Sequence, residues 1–264
     1  MLPQTTREPA AAACAAQAAN GLLIIGHRGA AGLFPENTLA GFAGAVELGV
    51  DGVELDVRMA GSGVVVIHDE RVDRTTNGTG MVSELGFAEL RSLDAGDRQR
   101  IPTLAEVLEL VPKHVMVNVE LKGSGTALPV AGIVGDLAGV VQTTGLPSLL
   151  VSSFDYDELR RFREVCPGVP CAPLAGRWSD NLEAVVGALD AWSVNLSQRT
   201  ATQAHVRAVR SWGRRCLVFT VNDPDRAKVL SAMGVAGVFT DYPDRLVADP
   251  VSCFSSSASS RCSS

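Results

Sequence analysis

His27 and Arg28 directly follow one apolar run, Leu22–Gly26. Glu54 and Asp56 lie inside a second, Gly52–Val57, and Glu120 and Lys122 lie at the end of a third, Val115–Leu121. Side chains along a strand alternate with period two, so Glu54 and Asp56 share a face, as do Glu120 and Lys122. Ionisable groups on the face of a buried strand are costly unless they have partners or a function. Three converging carboxylates repel one another, and they suit a hard divalent cation such as Mg²⁺ or Ca²⁺. Taken singly, each carboxylate fits a solvated strand end equally well, and Glu120 could simply pair with Lys122; their joint placement favours the metal reading. Of the four histidines, His114 falls in a helix-to-strand connection and His205 in a helix, where packing or surface roles are the default. His27 and His68 each end an apolar run, and two histidines on either side of a scissile bond can act as base and acid near neutral pH. Zinc has no support from HExxH or cysteine-rich spacing. Arg28 offers a fork of donors for phosphate oxygens and Lys122 a point charge; for each, the alternative is an internal ion pair.

The elements that must position these groups alternate. Short strand-type runs occur at Leu22–Gly26, Gly52–Val57, Val64–His68, Val115–Leu121, Leu149–Ser152, Val169–Leu174, Ala191–Leu196, Cys216–Val221 and Ala236–Thr240. Helical spacing appears in Leu39/Phe42/Ala43/Val46, Leu104/Val107/Leu108/Val111 and Leu182/Val185/Val186/Leu189. Thr103 with Glu106, Asp155 with Glu158 and Asp180 with Glu183 have N-cap and N3 spacing, and Asp223-Pro224 puts proline at a first helical position. Buried strands alternating with helices predict a parallel sheet covered by helices. Only Arg58–Gly63 separates Val57 from Val64, too short for a parallel crossover, so those two runs should form an antiparallel hairpin turning at Ala60–Gly63. Eight strands remain, which predicts a single α/β domain of the (β/α)8 TIM-barrel type over residues 22–248, with Ala236–Thr240 as the eighth strand. An open doubly wound sheet is the rival. The segment 69–101 becomes an insertion at the barrel mouth, where reactive groups gather.

The 264 residues carry 23 Lys plus Arg against 29 Asp plus Glu, a net charge of −6. That balance argues against nucleic acid as a partner. Apolar runs are far shorter than the ~18 residues of a membrane span. Cys14, Cys253 and Cys262 lie in low-complexity ends, while Cys166, Cys171 and Cys216 lack CxxC spacing, so free thiols are expected. Residues 1–21 read as a flexible Ala-rich tail without the basic and strongly apolar regions of a secretory signal. Residues 249–264 read as a disordered Ser-rich tail. A cytoplasmic location follows as an expectation, with export the minority alternative.

At the reactive positions the chain resembles the glycerophosphodiester phosphodiesterase family. The matching stretches include Gly26-His27-Arg28-Gly29-Ala30, Pro35-Glu36-Asn37-Thr38, Glu54-Leu55-Asp56-Val57, Ile67-His68-Asp69 and Asp73-Arg74-Thr75-Thr76-Asn77-Gly78. Further along come Asn118-Val119-Glu120-Leu121-Lys122, Ser153-Phe154-Asp155, Thr220-Val221-Asn222-Asp223 and Thr240-Asp241. The resemblance implies a barrel of the phosphatidylinositol-phospholipase-C kind. It implies a metal on Glu54, Asp56 and Glu120, an acid–base pair in His27 and His68, and phosphate binding by Arg28 and Lys122. The implied reaction converts a glycerophosphodiester into glycerol 3-phosphate and an alcohol, through attack by the glycerol 2-hydroxyl to give a cyclic phosphate. Two departures stand out: Phe219, a candidate substrate wall, replaces a tryptophan common in relatives, and the stretch from Asp56 to His68 is one residue shorter than the commoner pattern. Lysophospholipase D activity, or binding of phosphate esters without catalysis, are the alternatives.

Overall fold

The computed structural model describes residues 21–61, 63–135 and 146–247. The nine strand-type runs form β1 Leu23–Gly26, β2 Gly52–Ala60, β3 Gly63–Val66, β4 Met116–Leu121 and β5 Leu149–Ser153, then β6 Cys171–Ala175, β7 Ser193–Ser197, β8 Arg215–Phe219 and β9 Gly237–Thr240. Eight of them pair in parallel around a ring that closes where β1 meets both β9 and β2. The closure excludes the open sheet and establishes the (β/α)8 barrel. β3 lies outside the ring, antiparallel to the extended end of β2, with Val57 opposite Val66 and Ala60 opposite Gly63. The hairpin turns where expected, with Gly61 at φ +59°, a conformation glycine adopts without a Cβ clash. β3 ends at Val66, two residues before His68.

Helices α1 Leu39–Glu47, α3 Leu104–Leu110, α4 Ala127–Val134, α5 Tyr156–Val165, α6 Leu182–Leu189, α7 Gln203–Ser211 and α8 Pro224–Ala232 surround the ring, and α2 Phe87–Ser92 lies in the insertion. Their apolar faces and the outward faces of the strands make the main core, with Phe42, Val53, Leu104, Phe162, Val206 and Val218 among its buried members. On α1 Gly41, Phe42, Gly44 and Ala45 are buried, and Leu39 and Val46 of the expected stripe pack half-buried against the core; Gly44 lies against the Phe34 ring, which a Cβ there would overlap. Inside the ring, Ile25, Met116, Leu150, Ala172, Leu217 and Phe239 form an apolar plug. Residues 69–101 have a small core of their own, in which Val72, Val82, Leu90 and Ile101 pack against Val65 and Ile67 from the hairpin end.

The start signals hold at three of four places. Thr103 and Glu106 form a complete capping box, with Thr103 Oγ1 accepting from Glu106 N at 3.2 Å and Glu106 Oε2 accepting from Thr103 N at 2.7 Å. Asp155 caps α5, and Asp223 caps α8 with Pro224 at its first position. Asp180 does not cap α6: the helix starts at Leu182 after Asn181, because Ser179 takes the turn, its Oγ accepting from Asn181 N and its carbonyl from Leu182 N. Thr103→Ala should lower the unfolding free energy by about 1 kcal/mol, read from urea denaturation. A loss below about 0.3 kcal/mol would show that the box adds nothing.

Cys166, Cys171 and Cys216 are free and buried, as expected, and burial pushes the Cys171 and Cys216 thiols up to about 12. The remaining cysteines and both tails, Gly21 apart, lie outside the described residues. Among the described residues no helix is long and apolar enough to cross a membrane.

Candidate active site

The carboxylates converge at the C-terminal end of the ring. Asp56 on β2 lies opposite Glu120 on β4, with Glu54 one inward-facing step below Asp56. All three are buried, and one oxygen from each lies within 4.8 Å of the others. Glu54 Oε1, Asp56 Oδ1 and Glu120 Oε1 have no hydrogen-bond partner. Lys122 Nζ is 2.7 Å from Glu120 Oε1 and 3.4 Å from Asp56 Oδ1, so one cation forms ion pairs with two of these oxygens. Burial, reinforced by Asp56 and Glu120, raises the Glu54 carboxyl well above its ordinary range, and burial with the Asp56 charge pushes Glu120 up to about 7. Burial also works against ionisation of Asp56, but Lys122 and Arg28 outweigh it and hold that carboxyl low. Hard oxygen donors, buried together and short of partners, match what a divalent cation requires.

The loop after β1 supplies the cationic side. Arg28 (φ 51°) and Gly29 (φ 87°) both adopt left-handed backbone, which turns the chain over the mouth. A Cβ at Gly29 would come within 2.6 Å of the Gly41 backbone, so only glycine fits between this loop and α1. The turn aims Arg28 N at Glu54 Oε2, 2.9 Å away, and brings Arg28 Nε to 3.4 Å from Asp56 Oδ2. Asn37 Nδ2 donates to Asp56 Oδ2 at 2.9 Å.

Each candidate histidine is aligned through Nδ1 by a carboxylate. His27 Nδ1 is 2.6 Å from Asp241 Oδ1, and its Nε2 lies 3.9 Å from Glu54 Oε2. Asp241 Oδ2 in turn accepts from Asn222 Nδ2 at 2.7 Å. Burial opposes ionisation of Asp241, but hydrogen bonds from His27 and Asn222 prevail and hold it below the usual carboxylate range. His68 Nδ1 is 2.6 Å from Asp69 Oδ1. Burial lowers the His68 imidazole below its ordinary value, outweighing the pull of Asp56 and Asp69. With Nδ1 held by a carboxylate, Nε2 is the nitrogen of each ring left for proton transfer, accepting when the ring is neutral and donating when it is protonated. His114 and His205 stand apart from this group: His205 stacks on Trp178 with ring centroids 3.9 Å apart.

Phe219 forms an edge-to-face pair with Phe154, centroids 5.8 Å apart, and Lys122 Nζ is 5.8 Å from the Phe154 ring. Beside Phe219 the structure thus places a second, half-exposed ring. Asp241, Asn222, Asp69, Glu36, Asn37 and Phe154 had no separate role in the sequence reading. Two signals were available: Asp69 adjoins His68, and Asp241 is one step past the strand that must close against β1.

A closed (β/α)8 barrel with a hairpin outside the ring and an acidic, cationic and histidine-bearing mouth defines the class of barrel. Within that class, residues 27–245 match the model of the glycerophosphoryl diester phosphodiesterase family, and the chain belongs to that family of phosphoric diester hydrolases. It is 38% identical over 240 residues to YhdW of Bacillus subtilis, covering 86% of this chain and 98% of that one. To the glycerophosphodiester phosphodiesterase of Caldanaerobacter subterraneus subsp. tengcongensis it is 34% identical over 240 residues, covering 85% and 96%. Among solved structures it is similar to an Oleispira antarctica phosphodiesterase in complex with the product sn-glycerol-3-phosphate, with TM-score 0.78 and 29% identity over 87% of this chain and 97% of that one.

Proposed function

We propose that the protein is a metal-dependent glycerophosphodiester phosphodiesterase that releases glycerol 3-phosphate and an alcohol. The observation that carries this reading is the convergence of the buried carboxylates of Glu54, Asp56 and Glu120, one oxygen of each within 4.8 Å of the others, beside the cations Arg28 and Lys122. A divalent cation held by these carboxylates would draw charge from the phosphoryl oxygens. Arg28 and Lys122 bind the remaining phosphate oxygens and orient the diester. One of His27 and His68 takes the proton of the glycerol 2-hydroxyl as its oxygen bonds to phosphorus. The other gives a proton to the departing alkoxide as the second ester bond breaks. Water then opens the cyclic phosphate with the proton transfers reversed. Asp241 and Asp69 hold the two rings through Nδ1 so that Nε2 of each is the atom that takes or gives the proton.

The half-exposed Phe154 ring beside Lys122 favours a second reading, lysophospholipase D, in which an acyl chain lies along the Phe154/Phe219 wall. Phosphorus NMR of the products separates the two. Glycerol 3-phosphate from glycerophosphocholine, with lysophosphatidylcholine turned over poorly, is expected. Lysophosphatidic acid formed faster than glycerol 3-phosphate would support the second reading instead.

The raised carboxyls also set a pH dependence. In the metal-free protein Glu54 and Glu120 titrate above their unfolded values, Glu120 near 7, so between the two values the native state binds more protons than the unfolded one. Stability from these groups therefore falls as pH rises through that window. His68, titrating low, acts in the opposite sense, so the comparison to make is with Glu120→Gln. Between about pH 5 and about pH 8 the chelated wild type should lose more melting temperature than chelated E120Q, and added metal should restore more at the higher pH. Equal losses in the two proteins would contradict the assignment.

A further inference from the structure

Arg74 belongs to the inserted segment and takes no part in the chemistry above. Its guanidinium is half exposed, yet both edges are engaged. Nη1 and Nη2 donate to Glu36 Oε2 and Oε1 at 2.7 and 2.8 Å, while Nε and Nη2 donate to Asp69 Oδ2 and Oδ1 at 2.6 and 3.1 Å. Each of these carboxylates has a second partner deeper in the site. Asp69 Oδ1 faces His68 Nδ1 at 2.6 Å, and Glu36 Oε1 accepts from Arg28 Nη1 at 2.8 Å. One planar fork thus joins the group aligning a candidate acid–base histidine to the group aligning a candidate phosphate ligand. The residues it joins come from the β1–α1 loop and from the end of the β3 segment. Hydrogen bonds from Arg74 are the foremost cause holding Asp69 well below the usual carboxylate range, and with those of Arg28 they outweigh burial to keep Glu36 low as well. Without the fork, the two carboxylates would face each other held only by their contacts with His68 and Arg28. Lysine could not replace it, because a single ammonium does not meet two carboxylates bidentately.

We propose that Arg74 is a positioning residue for diester hydrolysis, clamping Asp69 and Glu36 so that His68 and Arg28 keep their directions together across the site. The proposal rests on the roles given to His68 and Arg28 above. It also assigns the insertion a function: carrying the clamp.

The test is steady-state turnover of glycerophosphocholine by the metal-loaded protein and by R74M, R74K, E36Q, D69N and E36Q/D69N. R74M should lose roughly 10- to 100-fold in kcat/KM, the range seen when partners of reactive groups are removed, with most of the loss in kcat. R74K should remain within about threefold of R74M. The E36Q/D69N loss should be clearly smaller than the product of the single losses, because both substitutions open one clamp. Wild-type kcat in R74M, restoration by R74K, or single losses that multiply would each overturn the proposal. Should R74M fail to fold, R74K and the E36Q/D69N cycle decide it. A metal-loaded wild type that hydrolyses no diester overturns the hydrolase reading itself, an outcome distinct from an active wild type indifferent to Arg74.

Discussion

Replacing His27 with asparagine is expected to lower kcat by roughly 10²- to 10⁴-fold, the usual contribution of a positioned acid or base. The ring is tied at Nδ1 to Asp241 and approaches Glu54 through Nε2, so its remaining nitrogen points toward the region where phosphate charge would gather. Asparagine can keep a hydrogen bond to Asp241 but cannot exchange a proton near neutral pH. The loss should therefore fall on kcat, with KM nearly unchanged, if Arg28 and Lys122 bind the phosphate as proposed. His68→Asn should behave alike, and the double variant should lose little more than the worse single one, since both groups serve one proton relay. A His27→Asn protein within about threefold of wild-type kcat would remove His27 from the acid–base pair.

Glu120→Gln should have an effect at least as large. It removes one negative charge from a buried trio beside Lys122 and Arg28, leaving a weaker oxygen donor where a hard cation requires carboxylate. Metal affinity should fall at least about 100-fold, and turnover at fixed metal with it. The fold should survive, because the substitution also relieves burial of a carboxyl already pushed up to about 7. Metal-free E120Q is thus expected to be as stable as the metal-free wild type, or more so. Unchanged metal affinity in folded E120Q would place the cation elsewhere.

Much of this is legible in the sequence alone. The short Arg58–Gly63 gap could not carry a parallel crossover, and removing β3 from the count left the eight-strand ring that the β1–β9 pairing closes. Period two alone placed Glu54 with Asp56 and Glu120 with Lys122. Harder to read were groups whose partners are distant in sequence. Asp241 aligns His27 across 214 positions, and only closure of the ring brings them together. Arg74 acquires its partners only once residues 69–101 fold over the hairpin, which no periodicity in that Gly- and Thr-rich stretch announces. Local signals failed where two residues competed for one turn, as when Ser179 displaced Asp180 from the start of α6. Glu158 has the spacing of a capping partner, yet its buried carboxylate accepts from Ala127 N, tying α5 to the first residue of α4.

The central claim is that Glu54, Asp56 and Glu120 together hold the cation on which diester hydrolysis depends. Titrating Mg²⁺ or Ca²⁺ into chelated wild-type protein, with glycerol 3-phosphate release from glycerophosphocholine followed in the same solution, tests it most directly. Turnover rising from near zero in step with one bound cation per chain is the predicted result. Full turnover in the metal-free protein would contradict it.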